Sequence, residues 1–183
     1  MAEAKSAGEV YQLKVTLKNI TPPVWRRLQV QDCTLAKLHD ILQTCMGWEN
    51  AHLHAFEVGG VEYSEPDPSG ALEMRDGRKV KLSKVMAGGV KKFTYTYDFG
   101  DTWEHVIEVE KTLPAEPGVR YPRCTDGKRA CPPEDCGGPW GYGDFLAAIQ
   151  NPKHEEHEEL LEWIGGEFDP EKFTVEAVNK RLR

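Results

Sequence analysis

The sequence predicts an α+β fold: a mainly antiparallel sheet with hairpins, packed by a helix in the N-terminal half and by C-terminal helices, with a Cys/Pro-rich loop. Three observations predict it. Residues 11–18 alternate Tyr11, Leu13, Val15 and Leu17 against Gln12, Lys14, Thr16 and Lys18, the period of a strand with one buried face. Residues 35–46 instead place Leu35, Leu38, Ile41, Leu42, Cys45 and Met46 at helical spacing. Strand-like segments then dominate the early part of the chain and helical ones close it.

Each element has its own signal. After the break NITPP, residues 24–30 (VWRRLQV) read as a second strand behind Pro22 and Pro23, neither of which can donate to a ladder. Asp32 or Thr34 is placed to cap the helix, which runs to about Gly47. Residues 52–58 (HLHAFEV) return to strand character and lead through Gly59 and Gly60 into VEY, a hairpin. The polar stretch 64–79 reads as a surface excursion, and 80–86 (VKLSKVM) as a short helix or a strand. Phe93, Tyr95, Tyr97 and Phe99 alternate on one strand, Trp103, His105, Ile107 and Val109 on the next, with Gly100 and Asp101 turning the chain between them. Helices are expected at 142–150, at 154–164 behind Pro152, and at 174–183. The organisation is a flexible N-terminus at 1–9 and a single domain over 10–183, with a Cys/Pro-rich loop at 114–139. That stretch holds six of the twelve prolines and three of the five cysteines and has no usable period; it reads as a long ordered loop or a small insert, and loops of this length are usually functional or unstructured.

At 183 residues the chain can bury a core without disulfides or metal as a support. No run approaches the roughly 20 apolar residues of a membrane span, and the start lacks the apolar core of a signal peptide, so a cytoplasmic protein with no membrane association is expected. A net charge of −7 argues against non-specific nucleic-acid binding. Local basic groups, Arg26 with Arg27, Lys91 with Lys92, and Arg120, Arg123, Lys128 and Arg129, read first as solvated surface charge. An odd number of cysteines in a reducing compartment points to metal ligation or burial rather than a disulfide framework, with Cys33 and Cys45 expected as small buried hydrophobes.

Two clusters could carry chemistry. Cys124, Cys131 and Cys136 lie around the run RACPPEDCGG, where two prolines and two glycines suggest a loop that must be held still. Three thiolates with a nitrogen from His154 or His157, three residues apart at a helix start, would complete a closed zinc site. The plainer reading is a proline-stiffened loop whose thiols pack, with the two histidines on a solvated first turn, or a redox role for Cys131 and Cys136. The second cluster is His52, His54, Asp98, Asp101 and His105, which could hold a metal able to activate water. Against it, a histidine on an apolar strand face is usually a hydrogen-bonded core residue, and an aspartate in such a turn usually bonds its own backbone. No nucleophile elbow surrounds any of the four serines, and no phosphate-cradling glycine loop precedes a helix. The five tryptophans stand near element boundaries, as core anchors do.

The segments VWRRLQV, TLAKLHDILQTCMGWENAHLHAF, YTYDFGDTWEH, CTDGKRACPPEDCGGPWGYGDFLAAI and NPKHEEHEELLEWIGGEFDPEKF resemble the plasmid pRiA4b ORF-3-like family, whose members are also labelled insertion-element passenger TnpR proteins. The resemblance runs from about residue 11 to 173. It implies an α+β fold and a link to plasmids and mobile elements, but no established reaction. The resolvase label can be tested on the residues. A serine resolvase needs an activated serine, an arginine cluster and a helix-turn-helix reader; a tyrosine recombinase needs arginines and a histidine around a nucleophilic tyrosine. This chain has neither pattern, so autonomous recombination is not expected. The leading expectation is a non-catalytic binding or accessory module for a protein partner or small molecule, with zinc as the one cofactor considered. The alternatives are a metal-dependent hydrolase built on the histidine cluster and a nucleic-acid accessory protein using Arg26, Arg27, Arg120, Arg123 and Arg129.

Overall fold

The computed structural model describes residues 8–183; residues 1–7, most of the expected flexible N-terminus, lie outside the described residues. Glu9 already belongs to the first strand, paired with Pro114.

The strands are β1 (Glu9–Leu17), β2 (Trp25–Gln31), β3 (His54–Val58), β4 (Val61–Ser64), β5 (Arg75–Asp76), β6 (Lys92–Tyr97), β7 (Trp103–Pro114) and β8 (Arg123–Lys128). They form one sheet in the order β5-β4-β3-β6-β7-β1-β2-β8, antiparallel throughout except for the short β4–β5 pair. The helices are α1 (Leu35–Met46), α2 (Leu82–Ala87), α3 (Gly138–Gln150), α4 (His157–Ile164) and α5 (Val175–Arg181). The expected α+β architecture is therefore present.

The alternation in β1 does what it predicts: Leu13, Val15 and Leu17 are buried, while Gln12, Lys14 and Thr16 face a partly solvated side. That second face is polar across four strands. Arg27 on β2 binds Glu110 on β7 at 2.8 and 2.9 Å, Gln12 on β1 joins the same carboxylate at 2.8 Å, and Arg123 on β8 donates to Gln29 at 2.7 Å. The apolar face carries the core, whose largest fully buried side chains include Trp103, Tyr95, Tyr97 and Phe56.

Thr34 caps α1, its hydroxyl accepting from the Lys37 N–H at 3.1 Å, an interaction worth about 1 kcal/mol. Gly47, at φ +88°, ends the helix in the left-handed conformation that glycine adopts without strain. Asp32 instead binds Ser83 at the start of α2, which resolves residues 82–87 as helix.

Several boundaries differ from the sequence reading: β3 begins at His54, so His52 precedes the strand, and β5 lies inside the polar stretch 64–79. The loop 114–139 contains a strand, β8, because an edge strand needs little apolar pattern; Cys124 is its one buried side chain. α3 begins at Gly138, earlier than residue 142, since Gly137 and Gly138 both take positive φ and Gly138 sits against the Asp101 carbonyl, where an added Cβ would lie 2.2 Å from its oxygen. α4 begins only at His157, so His154 precedes the helix. On the outer side of β8, the Asn179 side chain accepts from the Cys124 N–H at 2.7 Å and donates to the Cys124 carbonyl at 2.8 Å.

Candidate functional site

A cleft of about 840 Å³ opens beside the α1–β3 connection, lined by His39, Asn50, His52, His54 and Ser64, with residues 65–69, 71 and 72 and Phe99 at its rim. Its inner lining comes from α1 through His39 and from β3 through His54. His39 and Gln43, one turn apart on α1, both face the sheet and meet the Tyr95 hydroxyl.

The hydrogen bonds there form a closed ring whose direction follows from the chemistry of the partners. The Asn50 backbone N–H donates to Gln43 Oε1 at 2.9 Å, which leaves Gln43 Nε2 to donate to the Tyr95 oxygen at 2.9 Å. The Asn50 side-chain oxygen Oδ1, 2.7 Å from His39 Nε2, requires a proton on that nitrogen, so Nδ1 accepts from the Tyr95 hydroxyl at 2.8 Å. His39 is thus assigned as the neutral Nε2–H tautomer, and burial lowers its pKa.

His54 stacks on this fixed ring, centroids 3.5 Å apart and planes within 8°. It is 6% exposed, and its imidazole makes no hydrogen bond among the described residues, although it faces the cleft. Burial, with His39 alongside, pushes its pKa down to about 3, so it presents a neutral imidazole. Ser64 is turned away, its hydroxyl donating to the His54 carbonyl at 2.5 Å. Asp67 organises the rim by accepting from Ser69, Ala71 and Leu72. Three exposed apolar side chains, Leu53, Leu72 and Phe99, line the same opening.

Next to the cleft, His52 meets two carboxylates: Nε2 lies 3.0 Å from Asp135 Oδ1 and 3.7 Å from Asp98 Oδ2. Asp98 opens the β6–β7 turn, held by its N–H donating to the Leu53 carbonyl and by its Oδ1 accepting from Gly100 and Asp101. Asp135 comes from the Cys/Pro-rich loop.

The structure divides the expected histidine cluster. His52 and Asp98 come together. His54 is in the adjoining cleft, Asp101 accepts from the Gly137 N–H at 3.3 Å, and His105 is fully buried beside Trp48 with Nδ1 donating to the Tyr95 carbonyl at 3.1 Å. Burial lowers the His105 pKa to about 4.

The thiol cluster is not drawn together. Among the described residues, His52, Asp98 and Asp135 are the one group of three or more such side chains whose ligand atoms lie within 4.8 Å of one another. Cys124 is buried and donates to the Asp126 carbonyl, and Cys131 and Cys136 are half-buried and pack against the core. Burial raises all three thiol pKa values, that of Cys136 to about 12. His157 Nδ1 bonds the Ala148 carbonyl at 2.9 Å, and His154 Nδ1 accepts from the Glu156 N–H. The loop is held by other groups: the Trp48 indole donates to the Pro132 carbonyl at 3.0 Å, and Glu134 Oε1 accepts from the Glu49 N–H and the Tyr97 hydroxyl, each at 2.8 Å.

The arginines are largely engaged inside the fold. Arg26 is buried, bonding the Cys45, Trp25 and Lys128 carbonyls over the Phe173 ring. Arg27 binds Glu110 and Asp126, Arg123 binds Gln29 and Glu116, and Arg129 binds Glu171 and the Pro22 carbonyl. Among the described residues, no helix is long and apolar enough to cross a membrane.

Sequence reasoning missed His39, Asn50 and Asp135. His39 and Gln43 share the i, i+4 spacing of a helix face next to the apolar stripe, which was the available signal; the acids between Cys131 and Cys136 were overshadowed by the thiols.

Taken together, the architecture is an α+β protein whose antiparallel sheet and first helix carry a histidine-lined cleft flanked by a His–Asp–Asp cluster. The chain belongs to the plasmid pRiA4b ORF-3-like protein family, whose model matches residues 9–177. It is 44% identical over 178 residues to Uncharacterized protein y4hQ of Sinorhizobium fredii (strain NBRC 101917 / NGR234), covering 96% of this chain and 91% of that one. It also resembles the crystal structure of the protein of unknown function MM3350 from Methanosarcina mazei Go1, with a TM-score of 0.84 at 42% identity over 92% of this chain and 96% of that chain.

Proposed function

We propose that the protein is a binding module without turnover of its own, whose ligand is a small molecule with a hydrogen-bonding group and an apolar portion. Such a module suits an accessory protein of plasmids or mobile elements, the setting the family name suggests. One observation carries the reading: His54 is 94% buried by its 6% exposure, stacked on an immobile partner, and offers an unpaired neutral imidazole to the cleft. The ring makes no hydrogen bond among the described residues and lines the cleft, where a ligand atom can pair with it. The cleft volume, about 840 Å³, falls in the usual range for small-molecule sites, and Leu53, Leu72 and Phe99 supply apolar contact at its mouth. Phosphate-backbone binding has less support, because the acidic net charge opposes it and most of the candidate arginines have internal partners.

The test is a thermal-shift screen of a metabolite library against wild type and His54→Leu. Compounds that raise the wild-type Tm and not that of the variant are expected, recovered unchanged by mass spectrometry. Equal shifts in both proteins would refute the cleft as the binding site. A second reading, hydrolysis by a metal-activated water, draws on the convergence of His52 and Asp98. Conversion of a bound compound in the same screen would favour it over the first.

A further inference from the structure

We propose that His52, Asp98 and Asp135 form a binding site for a divalent transition-metal cation of the zinc class, seated where three loops meet. The inference goes beyond the reading of the cleft and does not depend on it.

Separation comes first. Metal–ligand bonds of about 2.0–2.2 Å, at angles between octahedral and tetrahedral, set ligand atoms roughly 2.8–3.6 Å apart. His52 Nε2 lies 3.0 Å from one carboxylate oxygen and 3.7 Å from the other, so small side-chain shifts suffice. Second, the polar atoms lack partners. His52 Nε2 is shut off from solvent and makes no hydrogen bond, even though Asp135 Oδ1 is within reach, because the geometry between them is wrong for one. Asp98 is 7% exposed; its Oδ1 takes both turn N–H groups, and its Oδ2, directed at His52, accepts none among the described residues. A solvent-excluded imidazole nitrogen without a partner is costly, and a cation held between it and the two carboxylates satisfies it.

Charge points the same way. Two carboxylates converge on one imidazole, so even an imidazolium balances one of them, whereas a divalent ion balances both. Imidazole nitrogen with carboxylate oxygen suits zinc and its first-row neighbours and disfavours magnesium, which prefers an all-oxygen shell. The ligands are presented by fixed segments: Asp98 by its turn, and Asp135 by a loop whose neighbour Glu134 is bound by Tyr97 and Glu49. Asp135 is 65% exposed at its side chain, so the ion would keep open positions for water or a ligand atom, unlike a closed structural site.

The experiment is calorimetric titration of chelator-stripped full-length protein with Zn²⁺, using wild type, His52→Ala, Asp135→Asn and Cys131→Ser. One ion per wild-type chain is expected, with Cys131→Ser unchanged, and with affinity in the other two variants reduced by at least the roughly 10–100-fold that loss of even an outer metal contact costs. Excess Mg²⁺ should not compete. Asp135→Asn replaces a largely exposed group, so circular dichroism should report an intact fold for that variant. A Co²⁺ spectrum with ligand-field bands and no thiolate-to-metal charge transfer would support the assignment independently. No binding, equal binding in all four proteins, or a loss confined to Cys131→Ser would overturn the proposal. Because the probes are metal ions alone, a cleft that binds no small molecule leaves this result readable.

Discussion

His39 lies within α1 and His52 in the connection that follows it, and their surroundings differ in kind. Around His39, the Asn50 N–H, the Gln43 amide, the Tyr95 hydroxyl and the imidazole satisfy one another in a closed ring. Around His52, two carboxylates approach one nitrogen and no hydrogen bond results. The first arrangement is complete without any added atom. The second is not, and the same incompleteness marks His54, stacked on the ring yet open to the cleft. The difference separates histidines that hold the fold from histidines that await something outside it, a distinction invisible in residue type alone.

Acidification should test the buried side of this comparison most strongly. His105 and His54 have folded pKa values of about 4 and about 3, below the ordinary 6.5, so the unfolded chain binds protons that the folded one refuses. Their contribution is intact above pH 6.5 and is lost as pH falls through the window from 6.5 toward those lower values. Urea unfolding at pH 7 and pH 5 should differ by on the order of 2 kcal/mol for each of the two. His105→Gln should remove about half of that pH dependence; an unchanged slope would refute the assignment. A smaller effect should follow from opening the ring. Tyr95→Phe strands His39 Nδ1 and the Gln43 amide, and denaturant unfolding at pH 7 should show a loss of about 2 kcal/mol. The smallest change belongs to the other region: without metal, Asp135→Asn should alter stability by less than about 0.5 kcal/mol, because its carboxylate is mostly exposed and its one close partner is poorly aligned. A loss as large as that of Tyr95→Phe would erase the contrast.

Much of the fold was legible because its strongest elements bury one face. The alternation in β1, β6 and β7 and the stripe of α1 needed no partner to be recognised. β8 escaped because it lies at the sheet edge, where Thr125, Asp126 and Lys128 are exposed and backbone pairing with β2 supplies the order. The start of α4 was misplaced because His154 and the glutamates have helical character while the chain there is still turning. At the site, His52 and Asp98 could be named from their flanking strands. Their partner Asp135 could not, since it is separated by a loop whose path depends on Trp48, Tyr97 and Glu134. The thiols attracted attention by composition, but spacing along a chain gives no distance across a fold, and the loop's acids make the contacts that hold it.

The Asn179 amide beside Cys124 has a further effect. A primary amide carries the same donor and acceptor as a peptide group, so this one side chain occupies the position where an incoming ninth strand would begin to pair. At the opposite border, β5 is only two residues long. An eight-stranded sheet with one margin plugged and the other nearly absent offers little template for joining a second sheet, a guard against edge-to-edge aggregation made from one asparagine and a very short strand.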